Sequence, residues 1–184
     1  MNIENLDQRR FTARDVREVV GVSYKTLSDW DSKGALATRR SKEAGWRRFR
    51  ARDLFALMVQ VEIRSRFGVP IERLRWIRSV MERRGADHLR HVMEMASNGF
   101  QMLLWTDLKG NFIVDADDEI ALMVRRGVLP SRTTPDAAIV VSLNPLADRL
   151  LEVLGLPPAG DAAAQLKAVL DEAAAGHDKR AKGR

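Results

Sequence analysis

At 184 residues, 45% of them apolar and 30% charged, the chain is long enough for one ordinary domain and a smaller companion. No apolar run approaches the ~20 residues of a membrane helix, and the first residues are polar, so neither a membrane span nor a secretory leader is expected. The absence of cysteine excludes disulfides and thiolate chemistry, and the net charge of +6 is uneven: residues 1–84 hold 20 Lys/Arg against 11 Asp/Glu, residues 85–184 hold 11 against 14. A basic first half and a mildly acidic second half fit a polyanion-binding head joined to a module with another task.

Residues 1–10, MNIENLDQRR, have no period and are expected to form a flexible arm. Thr12 with Asp15 has the spacing of a capping box, which starts a helix near Ala13. Val16, Val19 and Val20 give it one apolar face, and Gly21 ends it. Val22 fills the turn and Ser23 caps a second helix over 24–33, stopped by Gly34. Two short helices around a tight Gly-containing turn are the plan of a DNA-binding helix-turn-helix. On the second helix Leu27 and Trp30 face inward, which leaves Tyr24, Lys25, Thr26, Ser28, Asp29 and Lys33 around the exposed side. Leu36, Arg39, Arg40 and Lys42 then lead through Glu43-Ala44-Gly45 to Trp46-Arg47-Arg48-Phe49, an alternation of large and basic residues that predicts a two-stranded wing. Its cations are placed to hold a phosphate backbone.

A helix is expected over 53–66, with Leu54, Leu57, Met58, Val61 and Ile63 as its core side and Gly68 as its stop. Pro70 opens a further helix over 71–83 on the stripe Ile71, Leu74, Ile77 and Met81. Phe55 and Trp76 are read as core. A shorter helix at 86–98 carries Leu89, Val92, Met93 and Ala96. His88, His91 and Glu94 share one side of it, but without a fourth ligand they read as a polar face, and no metal or other cofactor is expected.

From Phe100 the period changes. Residues 100–106 and 111–115 read as a hairpin, Asp117-Asp118-Glu119 as the acidic start of a helix to about Arg126, and 137–143 as a strand apolar on both faces, hence central. A helix over 146–154 follows. Trp105, Phe112 and the methionines would fill its core, with a ligand pocket as the alternative. Pro157 and Pro158 mark a linker, 161–175 an Ala-rich helix, and HDKRAKGR a basic disordered tail.

The residues Gly21-Val22-Ser23, Thr26-Leu27, Trp30-Asp31 before Lys33-Gly34-Ala35-Leu36, Gly45-Trp46-Arg47-Arg48-Phe49 and Asp53-Leu54 resemble the MerR family of bacterial transcriptional regulators. The resemblance covers about residues 11–84. In the family the wing reads Gly-Tyr-Arg-x-Tyr; here both tyrosines are other aromatics and the arginine stands at Arg47. Where the family carries Arg-Tyr after Thr-Leu, this chain has Ser28-Asp29, so the usual arginine contact is missing. MerR-like dimers join through a long antiparallel helix, whereas about thirteen residues at 86–98 span only roughly 20 Å.

The expected fold class is α+β: a winged helix-turn-helix head at 11–84, a connecting or dimerisation helix at 85–98, a small α+β effector or dimerisation domain at 99–156 (hairpin, helix, strand, helix), and linker and tail at 157–184. The expected function is that of a cytoplasmic, nucleoid-associated, non-enzymatic regulator of transcription that binds double-stranded DNA as a homodimer on an inverted repeat. An excisionase-like or architectural DNA-bending role is the alternative. RNA polymerase is a further partner the resemblance implies, and 99–156 would receive an unknown small-molecule or protein effector. The candidate DNA-binding residues are Arg14, Tyr24, Lys25, Thr26, Ser28, Lys33, Arg39, Arg40, Lys42, Trp46, Arg47 and Arg48. On this reading Arg47→Ala weakens binding to every duplex and lowers the salt dependence, while Lys25→Ala changes sequence preference. Titrations at several salt concentrations check both; undiminished binding of Arg47→Ala at physiological salt contradicts the wing assignment.

Overall fold

The computed structural model describes residues 9–35, 48–77, 87–107, 112–125 and 138–158. The expected wing over 36–47, the end of the helix at 78–83, the hairpin turn, the loop before the last strand and everything from 159 onward lie outside these residues.

Helix α1, Ala13–Val20, begins where its end groups are satisfied locally. The Asp15 carboxylate accepts from the Thr12 amide at 2.6 Å and from its hydroxyl at 2.8 Å, and the Asp15 amide donates back to Thr12 Oγ1. Those bonds favour the charged form, so Asp15 titrates below its ordinary value of 3.8, with the Thr12 amide the largest cause. Gly21 ends α1 at φ 78°, a left-handed conformation that other residues adopt at a cost. Helix α2, Tyr24–Ser32, starts from Ser23, whose Oγ accepts the Thr26 amide at 3.1 Å. Beyond the chain's departure at Ala35, Phe11 and Phe49 exchange two backbone hydrogen bonds of 2.8 and 2.9 Å, closing the ends of the 11–49 segment on each other.

Helix α3, Ala51–Phe67, is the centre of the molecule. Asp53 Oδ2 accepts the Arg50 amide at 2.7 Å to start it, and Gly68 ends it. Sequence periodicity predicts a single core side. Instead Phe55, Ala56, Val59 and Gln60 are buried along with Leu54, Leu57, Met58 and Ile63, and Val61 is only half-buried. The reason is that α3 is covered from several directions, and a helix apolar all round belongs inside. After Pro70 the chain makes a 3-10 turn, Ile71–Leu74, rather than entering an α-helix at once; Ile71, Leu74 and Ile77 are buried as the stripe requires. Gln60 Nε2 donates to the carbonyls of Leu74 at 3.0 Å and Ala35 at 3.3 Å, tying this turn and the exit of α2 to the middle of α3.

Helix α4, Asp87–Ser97, puts Leu89, Val92 and Met93 into the same core. The strands are β1, Met102–Thr106, β2, Phe112–Ala116, and β3, Ile139–Ser142. They form an antiparallel sheet in the order β2-β1-β3, with Leu104 opposite both Val114 and Val141. The expectation that β3 lies centrally is therefore corrected: β1 is the central strand and β3 an edge. Continuous apolarity misled here, because only Ile139 and Val141 of β3 are buried, whereas Val140 is 47% exposed and Ser142 faces solvent. By contrast Met102, Leu104, Trp105 and Thr106 of β1 are all buried.

Helix α5, Asp117–Arg125, follows β2 directly and packs on β1 and β2. Helix α6, Asn144–Val153, is fixed to the sheet by the Asn144 side chain, which accepts the Met102 amide at 2.8 Å and donates to the Phe100 carbonyl at 2.9 Å. Its Leu146, Ala147, Leu150 and Leu151 are buried, and it lies against α3, α4 and α1. One apolar cluster thus runs from Phe11 to Leu156 across the boundary expected near residue 84.

The capping box gives a test. Thr12→Ala removes the hydroxyl and is expected to cost about 0.5–2 kcal/mol in chemical denaturation at neutral pH. Because the folded pKa of Asp15 lies below 3.8, the stability it contributes is complete above that value and is lost as pH falls through the lowered one. The deficit of Thr12→Ala is therefore constant from about pH 7 down to about pH 5. A deficit that vanishes in that window contradicts the capping assignment.

Candidate nucleic-acid interface

The exposed side of α2 follows from what its inner side must do. Leu27 and Trp30, three residues apart, are buried, and Val22 in the preceding turn packs on the same cluster. With that face fixed, Tyr24, Lys25, Ser28 and Asp29 are turned to solvent, Tyr24 with half of its surface open. Thr26 is half-buried; besides donating its amide to Ser23, it shares a 2.9 Å hydroxyl contact with that residue, so it serves the cap of the helix as well as its surface. The free amides at the start of α2 and the positive end of its dipole lie beside Tyr24 and Lys25.

Lys33, at the far end of α2, is held by two carboxylates. Its Nζ lies 3.0 Å from Asp29 Oδ2 and 3.0 Å from Glu72 Oε1. The bond to Glu72, then that to Asp29, raises the Lys33 pKa, while the backbone amide of Glu72 itself, then Lys33, lowers that of Glu72. All three groups are exposed, so the contacts are screened by salt and orient the side chain more than they stabilise the fold. Arg14 is exposed on the first turn of α1 and pairs with Glu18 at 3.1 Å. Arg48 is exposed just before Phe49. Arg39, Arg40, Lys42, Trp46 and Arg47 lie outside the described residues.

One basic residue absent from the candidate set stands in this surface. The Arg17 guanidinium lies 5.5 Å from the centre of the Tyr24 ring, bridging the last turn of α1 to the first turn of α2. The signal available in the sequence was an arginine and a tyrosine flanking the Gly-Val-Ser turn, a pair that only the folding of the chain at that turn brings close. On the inner side Arg64 of α3 stands 6.0 Å from the Trp30 ring.

Elsewhere, His91 is exposed and Glu94 pairs with Arg90 at 2.9 Å. Among the described residues, no group of three or more His, Asp or Glu is arranged to hold a metal ion, and no helix is long and apolar enough to cross a membrane. Trp105 is buried within β1, which is the core role the sequence suggests for it.

Glu72→Gln tests the electrostatics at the end of α2. Removing that carboxylate releases Lys33 from one partner and deletes a negative charge beside the helix, so affinity for duplex DNA is expected to rise a few-fold at low salt and return to the parent's at high salt. Anisotropy titrations measure it; weaker binding at low salt would show that Glu72 orients Lys33 productively instead.

Residues 11–82 match the family model of MerR HTH family regulatory proteins. No curated protein matches the chain. The match spans the capped helix pair, the Phe11 and Phe49 bridge and all of α3, the elements that hold the exposed side of α2 in place. Over residues 11–82 the chain is similar to the MerR HTH family of regulatory proteins.

Proposed function

We propose that the protein is a sequence-specific regulator of transcription that binds as a homodimer to an inverted-repeat promoter site. The observation that carries this reading is the division of α2: Leu27 and Trp30 are locked into the core while Tyr24, Lys25 and Ser28 stand out from its capped N-terminal half. Residues at the start of a recognition helix are those that reach base edges in the major groove. Tyr24, Lys25, Thr26 and Ser28 read bases in this account, and Arg14, Lys33, Arg39, Arg40, Lys42, Trp46, Arg47 and Arg48 hold the backbone beside them. With Ser28-Asp29 in place of Arg-Tyr, the preferred sequence is this chain's own.

One head of this size buries little area on DNA, which favours two half-sites. The apolar side of α4 is occupied within its own chain by Leu89, Val92 and Met93, so in this reading two copies pair through another surface. An effector bound within 99–156, small molecule or protein, has a direct route to the reader, since α6 lies on both α1 and α3. Contact with RNA polymerase at the promoter completes the proposal.

Selection from random duplexes, followed by sedimentation of the complex, tests it. The expected result is a motif of two inverted half-sites, about one helical turn or a multiple apart, holding two chains. One asymmetric site holding a single chain removes the dimer from the account. Dispersed binding with no shared motif favours the architectural alternative.

A further inference from the structure

We propose that Arg149 of α6 is a phosphate-binding residue of the DNA interface, carried by the C-terminal unit onto the turn of the helix-turn-helix; the inference rests on the DNA-binding reading above. α6 buries Leu146, Ala147, Leu150 and Leu151, and that packing turns Arg149 to solvent on the side where α6 meets α1. Its Nη2 lies 3.9 Å from the point that a Cβ on Gly21 would occupy. Gly21 is strained for any other residue at φ 78°, and the guanidinium stands close beside this turn, at a distance where even an added Cβ would meet it only in ordinary van der Waals contact.

Two features give that position a use. The turn, Gly21 and Ser23, is itself exposed and leads at once into Tyr24 and Lys25, with the Arg17 guanidinium over the Tyr24 ring. Arg149 therefore extends a basic margin around the start of α2, where the helix dipole and free amides already favour phosphate. Moreover, no carboxylate among the described residues pairs with Arg149, whereas Arg14, Lys33, Arg66 and Arg90 each have one. An acidic half of the chain thus presents a cation that no described carboxylate pairs with, at the place where the basic half turns toward its recognition helix. Arginine suits this task through a planar fork that matches phosphate oxygens.

The competing role is structural: a cation near the C-terminal carbonyls of α1 also complements that helix's dipole. The two differ in what they move. Binding of full-length parent, Arg149→Gln, Arg149→Lys and, as a control, Arg90→Gln to a mixed-sequence duplex is measured by anisotropy between about 50 and 200 mM salt. A phosphate contact predicts that Arg149→Gln lowers the slope of log affinity against log salt by about 0.9, the share of one phosphate, while Arg149→Lys and Arg90→Gln keep the parent slope. An unchanged slope for Arg149→Gln, even with a lower melting temperature, overturns the inference and leaves the DNA-binding reading standing. Equal loss of slope in Arg149→Lys also overturns it, since charge would then not be the cause. A parent that binds the duplex without salt dependence brings down the reading and the inference together.

Discussion

The burial of α3 on all sides is the constraint from which the rest of the structure follows. Leu54, Phe55, Ala56, Leu57, Met58, Val59 and Gln60 are all buried, and consecutive residues of a helix point in every direction around its axis. No single layer can cover such a helix. The α1–α2 pair takes one side, α4 and α6 with the sheet take others, and each cover then has its own position dictated by the same rod. Gln60 adds direction to this packing, since one buried amide nitrogen reaches both the exit of α2 and the turn after Pro70. Helix α2 is consequently aimed by contacts made far from its exposed residues.

This arrangement separates the two jobs of α2. Its inner face answers to packing: Trp30 and Leu27 have no freedom to serve a ligand. The outer face answers to electrostatics, in which some charges are neutralised within the chain and others are left open. Lys33 shares two carboxylates and Arg14 shares one, while Arg17 lies over an aromatic ring and keeps its full charge available at the start of the helix. The formal excess of cations over 1–84 thus overstates the charge left open at the Lys33 end of α2.

Much of this is legible in the residues themselves. Helix ends were readable because each is written by one or two side chains acting locally: Thr12 with Asp15, Ser23, and the glycines at 21, 34, 68 and 99, all of which adopt positive φ. The exposed set on α2 was readable for the same reason, since two inward residues fix a short helix's rotation. Long-range choices were not. The edge position of β3 depends on which strand β1 prefers on each side, and Val140 looks the same in either place until the alternation of burial is known. The full burial of α3 was present as an unbroken apolar run from Leu54 to Val59, but a periodic reading assigns such a run one face. The proximity of Arg17 to Tyr24, and of Arg149 to Gly21, exists only once helices have packed.

Native-state hydrogen exchange of the intact chain addresses the shared core most directly. If α3 is the common support, the slowest amides of α1, α3 and α6 open together and report one free energy. Exchange in α6 and the sheet through an opening of much lower free energy, with α1 and α3 still fully protected, would show two independent units and contradict the account.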